Sequence, residues 1–329
     1  MEFHGGIDAD WLIDFSISVN PYTPDWKDNL FDECRRRAVK YNHVKWVEDE
    51  FRLRFGEDVA IVAGATEAFQ IIGFTIMKDA DVVIPLPSYG EFERVASFCS
   101  ANVHRVWTLA SFEDAFWVAE RLAKLRKRVV IIFSNPNNPT GRVVPEESGE
   151  WIRKLESMGV TVIVDEAFRD FVRGYKDIGT PRTIKVRSFT KSYGIPGIRV
   201  GYVKTEKYEL FKRYRAPWGI GACGFLFLRY LLRDDGTFLK RSLPLVWKER
   251  KRFVDLGMKT DANFGVIRVE NATKIQKKLD SLGVHVRDCS SFGLPNMIRV
   301  SVRKKEENDR LFSALRELGI LDFGDGKHA

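Results

Sequence analysis

Ser188-Phe189-Thr190-Lys191-Ser192-Tyr193-Gly194 is the last of three chemically loaded turns; the others are Ser134-Asn135-Pro136-Asn137-Asn138-Pro139-Thr140-Gly141 and Val164-Asp165-Glu166-Ala167-Phe168. Each follows a short β-branched run, at 128–133, 160–164 and 183–188, of the kind that forms a strand buried on both faces of a parallel sheet. All three turns therefore fall at the carboxyl ends of strands, where open α/β sheets bind their ligands. Working outward, helical patterns at 92–99, 111–126 and 146–158 alternate with strand patterns at 81–85 and 102–108, and the character changes after 201–203. This rhythm predicts an α/β fold built on a mostly parallel, doubly wound sheet.

The flanks read differently. The first thirty or so residues contain Pro21 and Pro24 and predict an extended arm, followed by a helix over 29–40. Residues 46–76 read as helical, broken around 56–64. A strongly helical stretch over 225–257, interrupted at Pro244, leads into a small α/β unit. That unit has strands at 265–269, 284–287 and 297–302 and helices at 273–282 and 306–318. With 329 residues the chain exceeds the size of a single core. The predicted division is an arm and helix over 1–40 packing with the small domain, a large domain over 41–217, and a bridging helix with the small domain over 218–329.

Composition narrows the class. Apolar residues make up 44% and charged residues 30%, as in ordinary globular proteins, and apolar runs such as 129–133 are far too short to span a bilayer. With no leader pattern either, a cytoplasmic protein that contacts no membrane is expected. Cys34, Cys99, Cys223 and Cys289 lack metal-site or redox spacing, so reduced thiols and no bound metal are expected. The net charge of +8 includes basic runs at 124–128 and 248–252. Both lie in helical patterns and read as solvated faces, so no nucleic-acid partner is expected.

The three turns carry the parts of a pyridoxal 5'-phosphate site. A lysine amine can form a Schiff base with an aldehyde cofactor and later move protons at the same carbon, which is the role expected of Lys191. Asp165 beside the pyridine nitrogen would keep it protonated, making the ring an electron sink. Ser188 and Arg199, with Gly64-Ala65-Thr66 before a helix, offer donors for the cofactor phosphate. Asn138 can donate to the phenolic oxygen and Tyr89 can stack on the ring. Taken singly these residues would read as a surface lysine, a helix cap and an ordinary turn. Their order, each behind a strand, points to the cofactor.

With these motifs the chain resembles the fold type I pyridoxal-phosphate enzymes of the class I/II aminotransferase superfamily, in the subgroup of histidinol-phosphate aminotransferase and threonine-phosphate decarboxylase. The resemblance covers nearly the whole chain and implies a large cofactor-binding domain with a smaller α/β domain. Several stretches look more like the decarboxylase, which makes aminopropanol phosphate for cobalamin: His4-Gly5-Gly6, Asp14-Phe15-Ser16 with Asn20-Pro21, Pro217-Trp218, and 286–292. Phe168 stands where the aminotransferase typically carries a tyrosine whose hydroxyl would reach the cofactor's phenolic oxygen. By the same resemblance Arg299 binds the substrate carboxylate, Arg287 meets the substrate phosphate, and His4 and Asn20 close that pocket. Tyr41 would reach the cofactor phosphate of a neighbouring subunit, implying a homodimer with shared active sites.

The resemblance thus implies decarboxylation of L-threonine O-3-phosphate. The alternative is an aminotransferase acting on histidinol phosphate or another amino acid with 2-oxoglutarate. The chain departs from the pattern in a shortened arm between Gly6 and Asp14, in Val62-Ala63-Gly64 before Thr66-Glu67, and in Gly219-Ile220-Gly221 after Pro-Trp. These differences bear on substrate identity and leave the cofactor parts intact.

Overall fold

The computed structural model describes residues 5–55, 58–108, 111–125 and 127–321. Its strands, in chain order, are β1 (Ile13–Asp14), β2 (Val59–Val62), β3 (Asp81–Leu86), β4 (Asn102–Trp107), β5 (Val129–Ser134), β6 (Thr161–Asp165), β7 (Ile184–Ser188), β8 (Gly201–Lys204), β9 (Phe264–Arg268), β10 (Val284–His285), β11 (Arg287–Asp288) and β12 (Met297–Ser301). Seven of them form one sheet in the order β2-β8-β7-β6-β5-β3-β4, with β8 antiparallel to both neighbours and the pairs β7-β6, β6-β5, β5-β3 and β3-β4 parallel. Alternation along β5 shows why it runs through the middle. Val130 and Ile132 enter one apolar cluster with Phe69 and Phe92, while Val129, Ile131 and Phe133 enter another with Phe116 and Ile152. Both faces are thus covered by helices, as the uninterrupted apolar run requires.

The carboxyl-terminal unit is a three-stranded antiparallel sheet, β11-β12-β9, backed by helices Ala272–Ser281 and Lys305–Glu317. The arm joins it. β1 pairs in parallel with β10, Ile13 opposite Val284, and Phe15 is fully buried in one cluster with Phe168, Phe264, Leu279 and Val300.

Four expectations are corrected. The helix after the arm, Lys27–Arg37, buries Leu30 and Cys34 against Phe225 and Leu226 of helix Ala222–Asp234 and Ile61 of β2, so it rides on the large sheet's side rather than on the small unit. The break at 56–64 contains strand β2, a four-residue apolar run too short to stand out. The long carboxyl-side helix is divided at Asp235 and Gly236, both left-handed at φ 51° and 72°, and Pro244 lies inside the second helix, Thr237–Asp255. Finally, Cys34 and Cys223 form a disulfide with Cα atoms 5.1 Å apart, leaving Cys99 and Cys289 as the free thiols. Among the described residues no helix is long and apolar enough to cross a membrane, and no acidic, histidine and cysteine group is arranged to hold a metal.

Candidate cofactor and substrate site

The strand ends converge on one cavity of about 280 Å³, a volume that suits a small ligand. Asp165 is the last residue of β6 and Ser188 the last of β7, followed by the helical turn Phe189–Ser192 that carries Lys191. Asn138 lies in the loop after β5. Ala65, Thr66, Tyr89, Asn138, Asp165, Ser188, Lys191, Arg199, Arg287 and Arg299 all border the cavity. The two residues of the Asp-Glu pair diverge, because successive side chains leave a strand end in opposite directions. Asp165 faces the cavity, while Glu166 turns to the far side and pairs with Arg187 at 2.5 Å and the Tyr175 hydroxyl at 2.9 Å.

Asp165 fits a cationic ring partner. Its Oδ1 accepts from the Ala167 N–H at 3.0 Å and its Oδ2 from Ser134 Oγ at 3.3 Å. Burial pushes its carboxyl up to about 6, so a protonated ring nitrogen would recover what desolvation costs. Lys191 sits across the site with Nζ 4.8 Å from the centre of the Phe168 ring. Burial pulls its ammonium down to about 8, Asp165 pulls the other way, and Arg299 and Arg199 add to the depression. A lysine so tuned gives up its proton at about pH 8, far more readily than a solvated lysine.

The phosphate end is built on close backbone approach. Helix Gly64–Ile72 starts at Gly64, whose φ of +76° and whose absent side chain both matter: a Cβ there would lie 2.8 Å from Arg199 Nη2. The guanidinium therefore lies over the helix start, where free N–H groups and the helix dipole favour an anion. Among the described residues, buried Ser88 Oγ, in the turn before Tyr89, and Ser18 Oγ on the cavity wall have no hydrogen-bond partner. Such orphaned hydroxyls fit a site whose acceptors arrive with a ligand. The residues present therefore fit pyridoxal phosphate.

The substrate end is built by β11 and β12. Arg299, buried at 6% exposure, donates from Nη1 to Asn138 Oδ1 at 2.6 Å and from Nη2 to the Ser16 carbonyl at 2.7 Å, while its Nε has no partner among the described residues. An arginine can only donate, so this bond fixes the Asn138 amide with its oxygen toward Arg299 and its nitrogen free to donate elsewhere. Arg287 donates from Nη2 to Ser291 Oγ at 2.8 Å.

Three expected residues stand apart. Asn20 is not on the cavity wall. Its amide donates to the Ser192 carbonyl at 2.8 Å and Ser242 Oγ at 2.9 Å, its oxygen accepts from the Tyr22 N–H, and its own N–H donates to the Lys191 carbonyl. It acts as a clasp on the lysine turn, since both bonds donated by its amide nitrogen go to Ser192 and Ser242 and its side chain does not border the cavity. Tyr41 is 75% exposed and packs on Trp218, 55% exposed, with ring centres 4.9 Å apart. His4 lies outside the described residues. Sequence reasoning missed the Ser16 carbonyl, Ser291 and Phe292. A backbone carbonyl has no side-chain signature, but Ser291 and Phe292 lie within the 286–292 stretch already singled out.

Comparison with known proteins gives the family and the fold. Residues 29–315 match the family described as aminotransferase class I and II. The histidinol-phosphate aminotransferase 2 of Archaeoglobus fulgidus is 31% identical, covering 93% of either chain. A protein of Caldanaerobacter subterraneus subsp. tengcongensis, assigned by name to threonine-phosphate decarboxylase, is 30% identical over 92% of this chain and 89% of its own. The crystal structure of the histidinol-phosphate aminotransferase from Clostridium acetobutylicum shares the fold with a TM-score of 0.82 at 24% identity, covering 93% of this chain and 99% of that one.

Proposed function

Because the chain belongs to the class I and II aminotransferase family, whose enzymes depend on pyridoxal phosphate, we propose that it decarboxylates L-threonine O-3-phosphate to aminopropanol phosphate. One observation carries the reading: Arg287 and Arg299 are direct cross-strand partners in the β11-β12 ladder, so both guanidiniums rise from the same face of the sheet into the cavity. Burial, with Arg287 beside it, pulls Arg299 down to about 10, and Arg299 has no carboxylate partner among the described residues. Two guanidiniums side by side at a cavity wall suit a ligand that carries two anionic groups a few bonds apart. A three-carbon amino acid bearing a carboxylate and a phosphate supplies them, whereas histidinol phosphate has a phosphate and no carboxylate.

The cofactor, when bound, supplies a ring that accepts the electron pair left on the substrate α-carbon. Asp165 would keep the ring nitrogen protonated. Tyr89 would pack on the ring, the Asn138 amide would donate to the phenolic oxygen, and Ser188, Arg199 and the Ala65 and Thr66 N–H groups would hold the phosphate. Phe168 adds no hydroxyl and presents its ring to Lys191 Nζ. Arg299 would bind and orient the substrate carboxylate, and Arg287 with Ser291 would hold the substrate phosphate. After carbon dioxide leaves, Lys191 Nζ returns a proton to the α-carbon. The exposed Tyr41 and Trp218 pair marks a face where a second copy would complete the site in a homodimer.

An aminotransferase using 2-oxoglutarate is the second reading. It is favoured by the similarity to the Archaeoglobus protein, and two guanidiniums can also hold the two carboxylates of the oxo acid. The deciding assay runs cofactor-loaded protein with L-threonine O-3-phosphate alone, measuring carbon dioxide, and with histidinol phosphate plus 2-oxoglutarate, measuring glutamate. Carbon dioxide without oxo acid supports the decarboxylase; glutamate without carbon dioxide makes it an aminotransferase.

A further inference from the structure

The turn that carries Ser291 is held by two different bodies. Its root belongs to the small unit: the Ser290 N–H donates to Asp288 Oδ1 at 2.7 Å, Thr273 Oγ1 donates to Asp288 Oδ2 at 2.5 Å, and the Phe292 and Leu294 N–H groups close on the Cys289 carbonyl at 2.9 and 3.1 Å. Its inner side presents Ser291 to Arg287 and sets the Phe292 ring 5.6 Å from the Arg287 guanidinium and 6.0 Å from that of Arg299. Its apex, however, leans on the large sheet. Gly293 is left-handed at φ +76°, and a Cβ there would lie 2.7 Å from Cη2 and 3.0 Å from Cζ2 of Trp107. Only glycine combines that backbone with so close an approach.

Trp107 is the last residue of β4, the outer strand of the large sheet, and the ladder partner of Leu86. Two residues past Leu86 begins the Ser88-Tyr89 segment of the cofactor wall. The indole is 49% exposed and takes no part in the large sheet's apolar clusters. Core packing therefore does not explain a side chain of this size. Its contact with Gly293 does: the ring stops the turn from swinging outward with the small unit, which would carry Ser291 and Arg287 away from the cavity.

We propose that Trp107 is a positioning residue that sets specificity, buttressing the Ser290–Phe292 turn so that Arg287 and Ser291 are held to receive the substrate's second anion. The inference rests on the two-anion reading above. It follows that Trp107 governs discrimination between phosphorylated and unphosphorylated ligands and leaves chemistry at the α-carbon alone.

The test is equilibrium binding by calorimetry to cofactor-loaded wild type, Trp107→Ala, Trp107→Phe and Gly293→Ala. The probes are 3-phosphonopropionate and propionate, which lack an amine and so stay non-covalent. Wild type should prefer the phosphonate. Trp107→Ala should weaken the phosphonate about tenfold, the scale of one charge-assisted hydrogen bond, with propionate unchanged. Trp107→Phe should recover part of the loss, and Gly293→Ala should reproduce it by pushing the turn off the indole. Steady-state kinetics with L-threonine O-3-phosphate should show the loss in KM rather than kcat. A wild-type preference that survives in Trp107→Ala, or equal losses for both probes, overturns the role of Trp107 alone. A wild type with no preference overturns it together with the two-anion reading.

Discussion

Removing the amine of Lys191 should stabilise the cofactor-free protein while abolishing its activity. In the ligand-free fold the ammonium has no hydrogen-bond acceptor among the described residues, and burial draws it from an ordinary 10.5 down to about 8. At about 1.4 kcal/mol per unit, keeping that charge inside the fold costs at most about 3.5 kcal/mol. Solvent reaching this partly exposed side chain, and about 0.5–1 kcal/mol of attraction to the Phe168 ring, reduce the net to about 1–2 kcal/mol. Lys191→Met keeps the aliphatic stem and deletes the charge, so its Tm at about pH 7 should exceed wild type by about 1–3 °C. The pH dependence gives the sign. Below about 8 the wild-type lysine is charged in both states and the penalty is full; between about 8 and 10.5 the unfolded chain binds the extra proton, so wild-type stability climbs with pH. The gap between variant and wild type should therefore narrow as pH rises from about 7 to about 10. The assay is differential scanning calorimetry of both proteins freed of cofactor. A Lys191→Met variant less stable than wild type at neutral pH, or a gap indifferent to pH, would refute the reasoning.

Arg287→Ala should lower kcat/KM for a phosphorylated substrate by about 10–100-fold, the worth of a charged hydrogen bond, with a much smaller loss for the unphosphorylated analogue; equal losses in steady-state assays remove Arg287 from the phosphate role. Asn20→Ala should cost about 2–4 kcal/mol in urea unfolding, since it breaks two buried hydrogen bonds and strands the Ser192 carbonyl. Its activity loss should fall on kcat, because the turn bearing Lys191 is released while the anion sites stay whole; a loss confined to KM would contradict the clasp. Thiol titration of the unfolded, unreduced chain should count two reactive cysteines, and a count of four would dismiss the Cys34–Cys223 bond.

Much of this arrangement was legible because it is local. The β-branched runs ending at Ser134, Asp165 and Ser188 are strands for the reason the pattern implies: both faces are covered, and the residue after each run emerges at the sheet's rim. What was hidden depends on register between distant segments. Nothing near Arg287 says that Arg299 will stand opposite it, nor does anything near Trp107 point to Gly293. The role expected for Asn20 failed for a related reason, since its position in the chain suggests the arm and its hydrogen bonds belong to the lysine turn. Strand β2 escaped notice because four apolar residues inside a break between two helical patterns are too few to show a strand period. The division at Asp235 and Gly236 was obscured by a proline that a long helix absorbs, whereas two consecutive left-handed residues end one.

The parallel pairing of β1 with β10 has a consequence for how the molecule is made. The ribosome releases the arm first, yet Ile13 has no partner until Val284 has been synthesised. The Ser16 carbonyl that steadies Arg299 must likewise wait for the strand that bears that arginine. The cofactor half, whose parts lie between Gly64 and Arg199, can assemble during translation, since domains fold as they emerge. The wall that selects the substrate is therefore the last thing built, and an incomplete chain would hold the parts for cofactor capture before it held those for choosing what reacts there.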